Sequence, residues 1–418
     1  MIEEADAPRD LAVLVVPLVG ALAKTGDVFD PYRLLDSAGL VVVAVSEYLK
    51  DLQAAGRSES TQRSYGMDLL RWFRFLWAIG SDWDRATRVE ARDFCRWLQS
   101  VDKPVREHWR TGTSPAAGPV RPGAGAVNAV TGKASPGRDY ASATLAHSET
   151  VLRAFYGFHL EAGSGPMVNP FPLARAGRRP YAHHNPLEPF SRQRTGLYRP
   201  RPQQRIPRHI PDALFDELFG SLPSHRDRAL VALWISTGAR ASELLGVRCG
   251  GVDAGSQLVT VIRKGSRAIQ PLPASPDAFV WLRLYQQQTH GSVTTGVDDP
   301  LWWTLRRPLR PLAYHAARAM FARANASLGL NWSLHDLRHS AAYRMARDPL
   351  MPLTDVQWVL GHAHLSTTQI YVTPTPEDVV DSVLAHHRRQ AERPAAPPAA
   401  PSRGYDHQSL ETLFGGQR

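Results

Sequence analysis

The sequence predicts a mainly α-helical chain of two domains, the second carrying a small β-hairpin. Three observations lead there. Apolar residues recur at three- and four-residue intervals through much of residues 39–163 and 211–390, the period of helices with one buried face. Two short strand-like runs, Gln257 to Arg263 and Arg267 to Leu272, flank a turn at Lys264-Gly265-Ser266. Residues 164–210, between the helical regions, have many prolines and no sustained period, which marks a linker. With 418 residues, 43% of them hydrophobic, the chain is long enough to bury more than one core.

Residues 1–38 are an extension richer in acids (Glu3, Glu4, Asp6, Asp10, Asp27, Asp30, Asp36) than in bases (Arg9, Lys24, Arg33). That sign argues against an arm that grips a polyanion; a helix packed on a neighbouring protomer is the expectation. Residues 39–163 read as four helices: Val41 to Leu52, Thr61 to Trp77, Val89 to Ser100 and Ser142 to Ala162. In the second, Tyr65, Leu69, Trp72, Phe73, Leu76 and Trp77 form the apolar face, while Arg63, Arg71 and Arg74 stud the other. Thr111 to Arg138, rich in Gly, Pro and Ser, predicts mobility rather than packing.

The linker is one-sided in charge. Arg175, Arg178, Arg179, Arg192, Arg194, Arg199, Arg201, Arg205 and Arg208 face one acid, Glu188, with Tyr181, Phe190 and Tyr198 interleaved. Such a segment suits a phosphate backbone, held by counterion release; the plainer alternative is a solvated basic linker.

The second domain, residues 211–390, opens with helices over Asp212 to Phe219 and Arg226 to Ser236, and Gly238 breaks the latter. Arg240 then sits near the N-terminus of a short helix, where unpaired amides favour an anion, and Glu243 is placed to hold its guanidinium. Past the hairpin, Pro311 to Leu328 is a helix with Tyr314, Ala317, Met320, Phe321 and Ala324 on one side and Arg306, Arg307, Arg310, Arg318 and Arg323 placed for phosphates. A last helix begins at Thr375-Pro376 with Val379, Val380, Val383 and Leu384. Residues 391–418 form a tail in which a Pro/Ala tether, Pro394 to Pro401, leads to Ser409 to Phe414, where Leu410, Leu413 and Phe414 make a one-sided patch suited to docking; a frayed tail is the plainer alternative.

The net charge of +10 suggests a polyanionic partner, and arginine supplies nearly all of it. Lysine occurs only at Lys24, Lys50, Lys103, Lys133 and Lys264. Cys95 and Cys249 are too few for a disulfide framework and lack metal-ligand spacing, so a reducing cytoplasm is the expectation. The apolar run Leu11 to Leu22 is too short to span a bilayer and contains Pro17, so no membrane is expected as partner.

The chemistry concentrates between Leu334 and Tyr371. His335 and Arg338, three apart, share one helix face. Thr354 to Leu360 is a second helix, ended by Gly361 just before His362. The run Leu365-Ser-Thr-Thr-Gln then delivers Tyr371. Cationic donors that suit a phosphate, an imidazole pair and a phenol together suggest attack by Tyr371 on a phosphodiester.

This stretch resembles the C-terminal signature of the tyrosine recombinases, the phage integrase family. HDLRH stands for its His-x-x-Arg box, LGHAHLSTTQIY for its Gly-His to Tyr box and TGARASELLGV for its first arginine box. Lys264 in VIRKGSR resembles the mobile catalytic lysine, with Arg263 and Arg267 as competing neighbours. Residues 40–162 loosely resemble the core-binding domain, one half of a clamp around double-stranded DNA. The resemblance implies that Tyr371 is the nucleophile and His335 its base, needed because a phenol has a pKa of about 10. It implies that Arg240 and Arg338 clamp the non-bridging oxygens, that His362 adds a hydrogen bond, and that Lys264 protonates the departing 5′-oxygen. A 3′-phosphotyrosyl intermediate would be religated to a partner strand. Side-chain cations supply what metal ions often supply elsewhere, so neither metal nor cofactor is implied, and no GxxxxGK[ST] loop is present.

The resemblance also implies a homo-oligomer on DNA, a tetramer in the synaptic complex, with accessory proteins as further partners. The extension, the glycine-rich loop and the arginine linker depart from compact Xer-type resolvases and favour an integrase or transposase of a mobile element. A type IB topoisomerase is the nearest alternative, disfavoured because those enzymes usually carry lysine where His335 stands. A catalytically silent DNA-binding regulator is disfavoured by the complete residue set.

Overall fold

The computed structural model describes residues 9–104, 124–174, 195–200, 208–372, 376–392 and 406–415. The expectations for Arg178, Arg179, Arg192, Arg194, Arg201 and Arg205, and for the Pro/Ala tether, lie outside these residues. The chain divides into two compact units, residues 1–205 with 329–331 and residues 206–328 with 332–418.

In the first unit the described part of the acidic extension, from residue 9, is not a helix. Strands β1 (Ala21–Lys24) and β2 (Tyr32–Leu35) pair antiparallel, with Ala21 opposite Leu35 and Lys24 opposite Tyr32. Gly20, at φ +69°, turns the chain into β1 where an added Cβ would lie 2.7 Å from the Leu35 carbonyl oxygen, so only glycine fits. Leu34 is fully buried, and Leu11, Leu14, Val16 and Leu22 pack on the same core. Polar ties complete the docking: Arg9 bonds Glu90 at 2.8 Å, and Arg74 donates to the carbonyls of Val19 (2.6 Å) and Gly20 (2.9 Å). The helix expected here fails because Pro17, Gly20 and Gly26 interrupt any long helical run.

The four expected helices are present as α1 (Val43–Ala54), α2 (Glu59–Ile79), α3 (Arg88–Ser100) and α4 (Ser142–Glu161). Ser58 caps α2, Gly80 ends it in the left-handed region, and Thr87 with Glu90 closes a capping box on α3. Their faces bury Trp72, Phe75, Phe94, Phe155 and Tyr156, and the Trp72 indole donates to Tyr156 Oη at 2.9 Å. Phe171 is fully buried against Trp72 and Tyr156, so the first unit extends past residue 163 into the segment read as linker. Part of the glycine-rich loop is ordered: Asn128 Oδ1 accepts the amides of Val130 (3.0 Å) and Thr131 (2.8 Å), and Val127 bridges Ala134.

The second unit is built on α6 (His225–Thr237), which follows α5 (Asp212–Gly220) and buries Leu230, Val231, Leu233 and Trp234. Next come α7 (Ala241–Leu245) and an antiparallel sheet in the order β3 (Val252–Asp253), β4 (Leu258–Ile262), β5 (Ile269–Pro273). In the β4–β5 hairpin Ile262 lies opposite Ile269, which places Lys264 in the turn. Sequence reading missed β3 and α8 (Pro276–Thr289), which opens on proline and packs on α6 through Ala278, Leu282 and Tyr285. Then follow α9 (Tyr314–Ser327), α10 (Leu334–Ala346), α11 (Leu353–Leu360), α12 (Leu365–Gln369), α13 (Pro376–Ala391) and α14 (His407–Phe414). Val379, Val380, Val383 and Leu384 of α13 are exposed. Among the described residues no helix is long and apolar enough to cross a membrane.

If the extension is part of the first core, Leu34→Ala will destabilise that unit by about 2–5 kcal/mol. Urea unfolding followed by tryptophan fluorescence measures this, and an unchanged midpoint would place the segment outside the core.

Candidate active site

The site is assembled by the ends of short elements. Gly238, at φ +60°, stops α6, and a Cβ there would meet Leu360 of α11 at 2.9 Å. Two residues later Arg240 opens α7. Glu243, in the first turn, reaches back: its Oε2 accepts the Arg240 amide (2.9 Å) and its Oε1 the Arg240 guanidinium (2.9 Å). The same carboxylate accepts Arg263 Nη1 (3.1 Å) and the amide of Lys264 (2.9 Å). Burial alone would raise the Glu243 carboxyl, but the amides of Lys264 and Arg240 and the Arg240 guanidinium outweigh it and hold it below the usual carboxylate range.

On α10, Arg338 is 4% exposed and donates to the carbonyls of Gly238 and Leu360, both at 2.8 Å, and to His362 Nε2 at 3.0 Å. Burial, then the neighbouring Arg240 charge, lower its pKa to about 10. His362 follows Gly361, the left-handed end of α11. Its Nε2 accepts from Arg338, which puts the ring proton on Nδ1, facing Thr368 Oγ1 at 2.9 Å. Burial and the charges of Arg338, Arg240 and Arg263 lower its pKa to about 4, so the ring is neutral.

Tyr371, just past α12, is 4% exposed, and burial raises its phenol against the opposing pull of Arg338. Its hydroxyl lies 2.7 Å from His339 Nδ1. His335, expected as the base, is exposed one helical turn away, its ring centroid 4.2 Å from that of His339. The imidazole at the phenol is therefore His339, which the sequence reading passed over although HDLRH puts it one turn after His335 on the same face. Lys264 is exposed at the hairpin turn, whereas its neighbour Arg263 is buried; Arg267, in the same turn, is exposed.

Three guanidiniums and one carboxylate leave a surplus of positive charge in a half-buried place, which is costly unless an anion shares it. A phosphodiester has the charge and the oxygens to do so.

Residues 212–378 match the phage integrase family, and residues 45–105 match the phage integrase N-terminal SAM-like domain. Residues 212–378 are a phage integrase family domain. The chain is similar to the tyrosine recombinase XerC of Xylella fastidiosa, 35% identical over 186 residues, which is 42% of this chain and 59% of that protein. It is also similar to the tyrosine recombinase XerD of Neisseria meningitidis serogroup B, 31% identical over 39% of this chain and 56% of that protein. The matches thus span less than two thirds of these relatives. Among solved structures, the Tn1549 transposon integrase in complex with circular intermediate DNA shares the fold at TM-score 0.53 and 12% identity, over 81% of this chain and 98% of that one. A λ integrase dimer bound to a core site gives 0.50 and 14%, over 79% and 76%.

In the first unit the arginines expected on α2 divide. Arg63 is exposed, Arg71 pairs with Asp68 (2.8 Å) and Ser148 (3.0 Å), and Arg74 is spent on the carbonyls of residues 18–20. Arg199, on the described part of the linker, is exposed. Arg71 and Arg74 serve the fold of the first unit: the buried Asp68 and Ser148 hold the one, and the carbonyls of residues 18–20 hold the other.

NMR of the ring nitrogens in the free protein is expected to show His362 as the Nδ1–H tautomer, neutral from pH 7 down to protonation at about pH 4. The unfolded ring protonates at about pH 6.5. Since the folded value is the lower, the stability held by neutral His362 is complete above pH 6.5 and is lost as pH falls towards 4. A ring that gains its proton between about pH 6 and 7 would contradict the assignment.

Proposed function

We propose that this chain recombines double-stranded DNA at specific sites by metal-free strand exchange, with Tyr371 as nucleophile. The observation that carries the proposal is the convergence of Arg240, Arg338, His362 and a phenol around one surplus of positive charge, with an exposed lysine on the adjoining hairpin.

Tyr371 Oη forms a bond to phosphorus as the bond to the 5′-oxygen breaks. The phenol proton passes to an imidazole, His339 being the one within reach and His335 lying behind it. Lys264 Nζ gives a proton to the departing 5′-oxygen. Charge on the five-coordinate phosphorus is met by Arg240 and Arg338, with His362 adding a hydrogen bond once its tautomer changes. Attack by the 5′-hydroxyl of a partner strand reverses these steps, so the link is conserved and no nucleotide is hydrolysed. Because Tyr371 is buried, α12 has to shift to present it.

The exposed stripe Val379, Val380, Val383 and Leu384 supports a protomer-to-protomer contact through α13, and with it a tetramer in the synaptic complex. Integration, excision or transposition of a mobile element is the role we favour, because the N-terminal extension, the glycine-rich loop and the arginine linker depart from compact Xer-type resolvases. The exposed Arg63 and Arg199 and the arginine linker are proposed to contact phosphates, and accessory proteins to set direction.

The test uses nicked suicide duplexes drawn from the DNA flanking the gene. The wild-type chain is expected to form a covalent adduct at Tyr371 that survives EDTA, and Tyr371→Phe to bind DNA without forming one. Lys264→Ala is expected to slow cleavage about 10²–10⁴-fold, with recovery on a 5′-bridging phosphorothiolate, whose leaving group needs no acid. Adduct persisting in Tyr371→Phe would sink the proposal.

A further inference from the structure

Among the described residues, Arg263 is the buried cation near the site to which the mechanism above gives no task. Its side chain is 4% exposed and reaches three separated parts of the chain. Nη1 donates to Glu243 at 3.1 Å, beside the Arg240 box. Nε donates to Gln270 Oε1 at 2.6 Å, across the base of the hairpin whose turn holds Lys264. Nη2 donates to the carbonyls of Trp358, at 3.4 Å, and of Val359, at the end of α11. Gln270 closes the ring by donating to the same Trp358 carbonyl at 2.9 Å. The guanidinium also lies against Gly361, where a Cβ would come within 3.0 Å of Nε.

Two features separate this arrangement from a generic buried ion pair. A positive group at the C-terminal end of α11 suits the partial negative charge there, satisfies the Val359 carbonyl and adds a further donor to that of Trp358, which also takes the Gly361 amide, two and three residues before Gly361. Glu243 spends its Oε2 on Arg263 and its Oε1 on the Lys264 amide, so removing Arg263 loosens both anchors of the lysine turn at once. Arg263 itself does not face a ligand, because its side chain is enclosed and its nitrogens are engaged.

We propose that Arg263 is a positioning residue for the leaving-group step, fixing the Lys264 hairpin against the α11 end and the Arg240 box so that the lysine meets the departing oxygen. A planar fork is required, since no single ammonium can reach a carboxylate, an amide oxygen and two carbonyls together. A misplacement of the order of 1 Å at a reacting group costs about 100-fold in rate.

The inference rests on the recombinase reading above, and the experiment separates the two. Single-turnover cleavage is measured on paired suicide duplexes with oxygen or sulfur at the 5′-bridging position. Arg263→Gln and Arg263→Lys are both expected to lose about 100-fold on the oxygen substrate and to return to within about 10-fold of wild type on sulfur. Gln270→Leu, which leaves no buried charge unpaired, is expected to show a smaller loss with the same recovery, and it decides the matter should the Arg263 variants fail to fold. Equal loss on both substrates would make Arg263 merely structural and overturn the inference, as would no loss on either. A wild-type chain that forms no adduct with either duplex sinks the recombinase reading itself.

Discussion

The site depends on one buried carboxylate. Glu243 stands among Arg240, Arg263 and, at longer range, Arg338, and its two oxygens take the amides of Arg240 and Lys264 as well as two guanidiniums. Without it, like charges would repel across a low-dielectric pocket, and neither the α7 start nor the hairpin turn would have a fixed place. With it, their surplus charge becomes a preorganised receptor for an anion. Such a receptor stabilises charge that develops on phosphorus without reorganising at the moment of reaction.

That constraint explains why the site sits at element ends. Gly238 and Gly361 end α6 and α11 in the left-handed conformation, and Arg338 satisfies a carbonyl at each end, those of Gly238 and Leu360. The trailing carbonyls of a helix have no partner within it. Donors that satisfy them are necessarily placed at the helix mouth, where a ligand can approach. Arg338 and Arg263 share this task on neighbouring carbonyls of α11, which ties fold stability to site geometry.

What the sequence revealed follows from the range of the interactions involved. The helices of both units were legible because their buried faces repeat locally, and α2 shows this best, from Leu69 through Trp72 and Phe73 to Leu76. Arg240, Arg338, His362 and Tyr371 were legible because short motifs fix their local setting. The extension was not, since β1 and β2 gain their burial from α1 and α2, and the described acids Asp10, Asp27, Asp30 and Asp36 are spent on turns and on an ion pair with Arg33. Arg74 misled for the same reason: its acceptors, the carbonyls of Leu18, Val19 and Gly20, are more than fifty residues away along the chain. His339 stood in plain view inside HDLRH, but which of two imidazoles meets the phenol depends on where α12 returns to α10.

The hydrogen bonds around His362 place the nucleophile and the phosphate site on one line. Arg338 donates to Nε2, Nδ1 faces Thr368, and Thr368 lies in the helix that delivers Tyr371. An anion that takes Arg338 competes with His362 for the same guanidinium. For His362 to donate to that anion, its proton has to appear on Nε2, either by protonation of a ring that burial and three arginines hold neutral, or by a tautomer change that gives up the donation to Thr368. The second route is the cheaper near neutral pH, because the first works against the full electrostatic bias of the site. Under the recombinase reading, filling the phosphate position therefore reverses the bond to α12 without breaking it, because the Thr368 hydroxyl can donate to a bare Nδ1 and keep the ring in place while Nε2 turns to the phosphate.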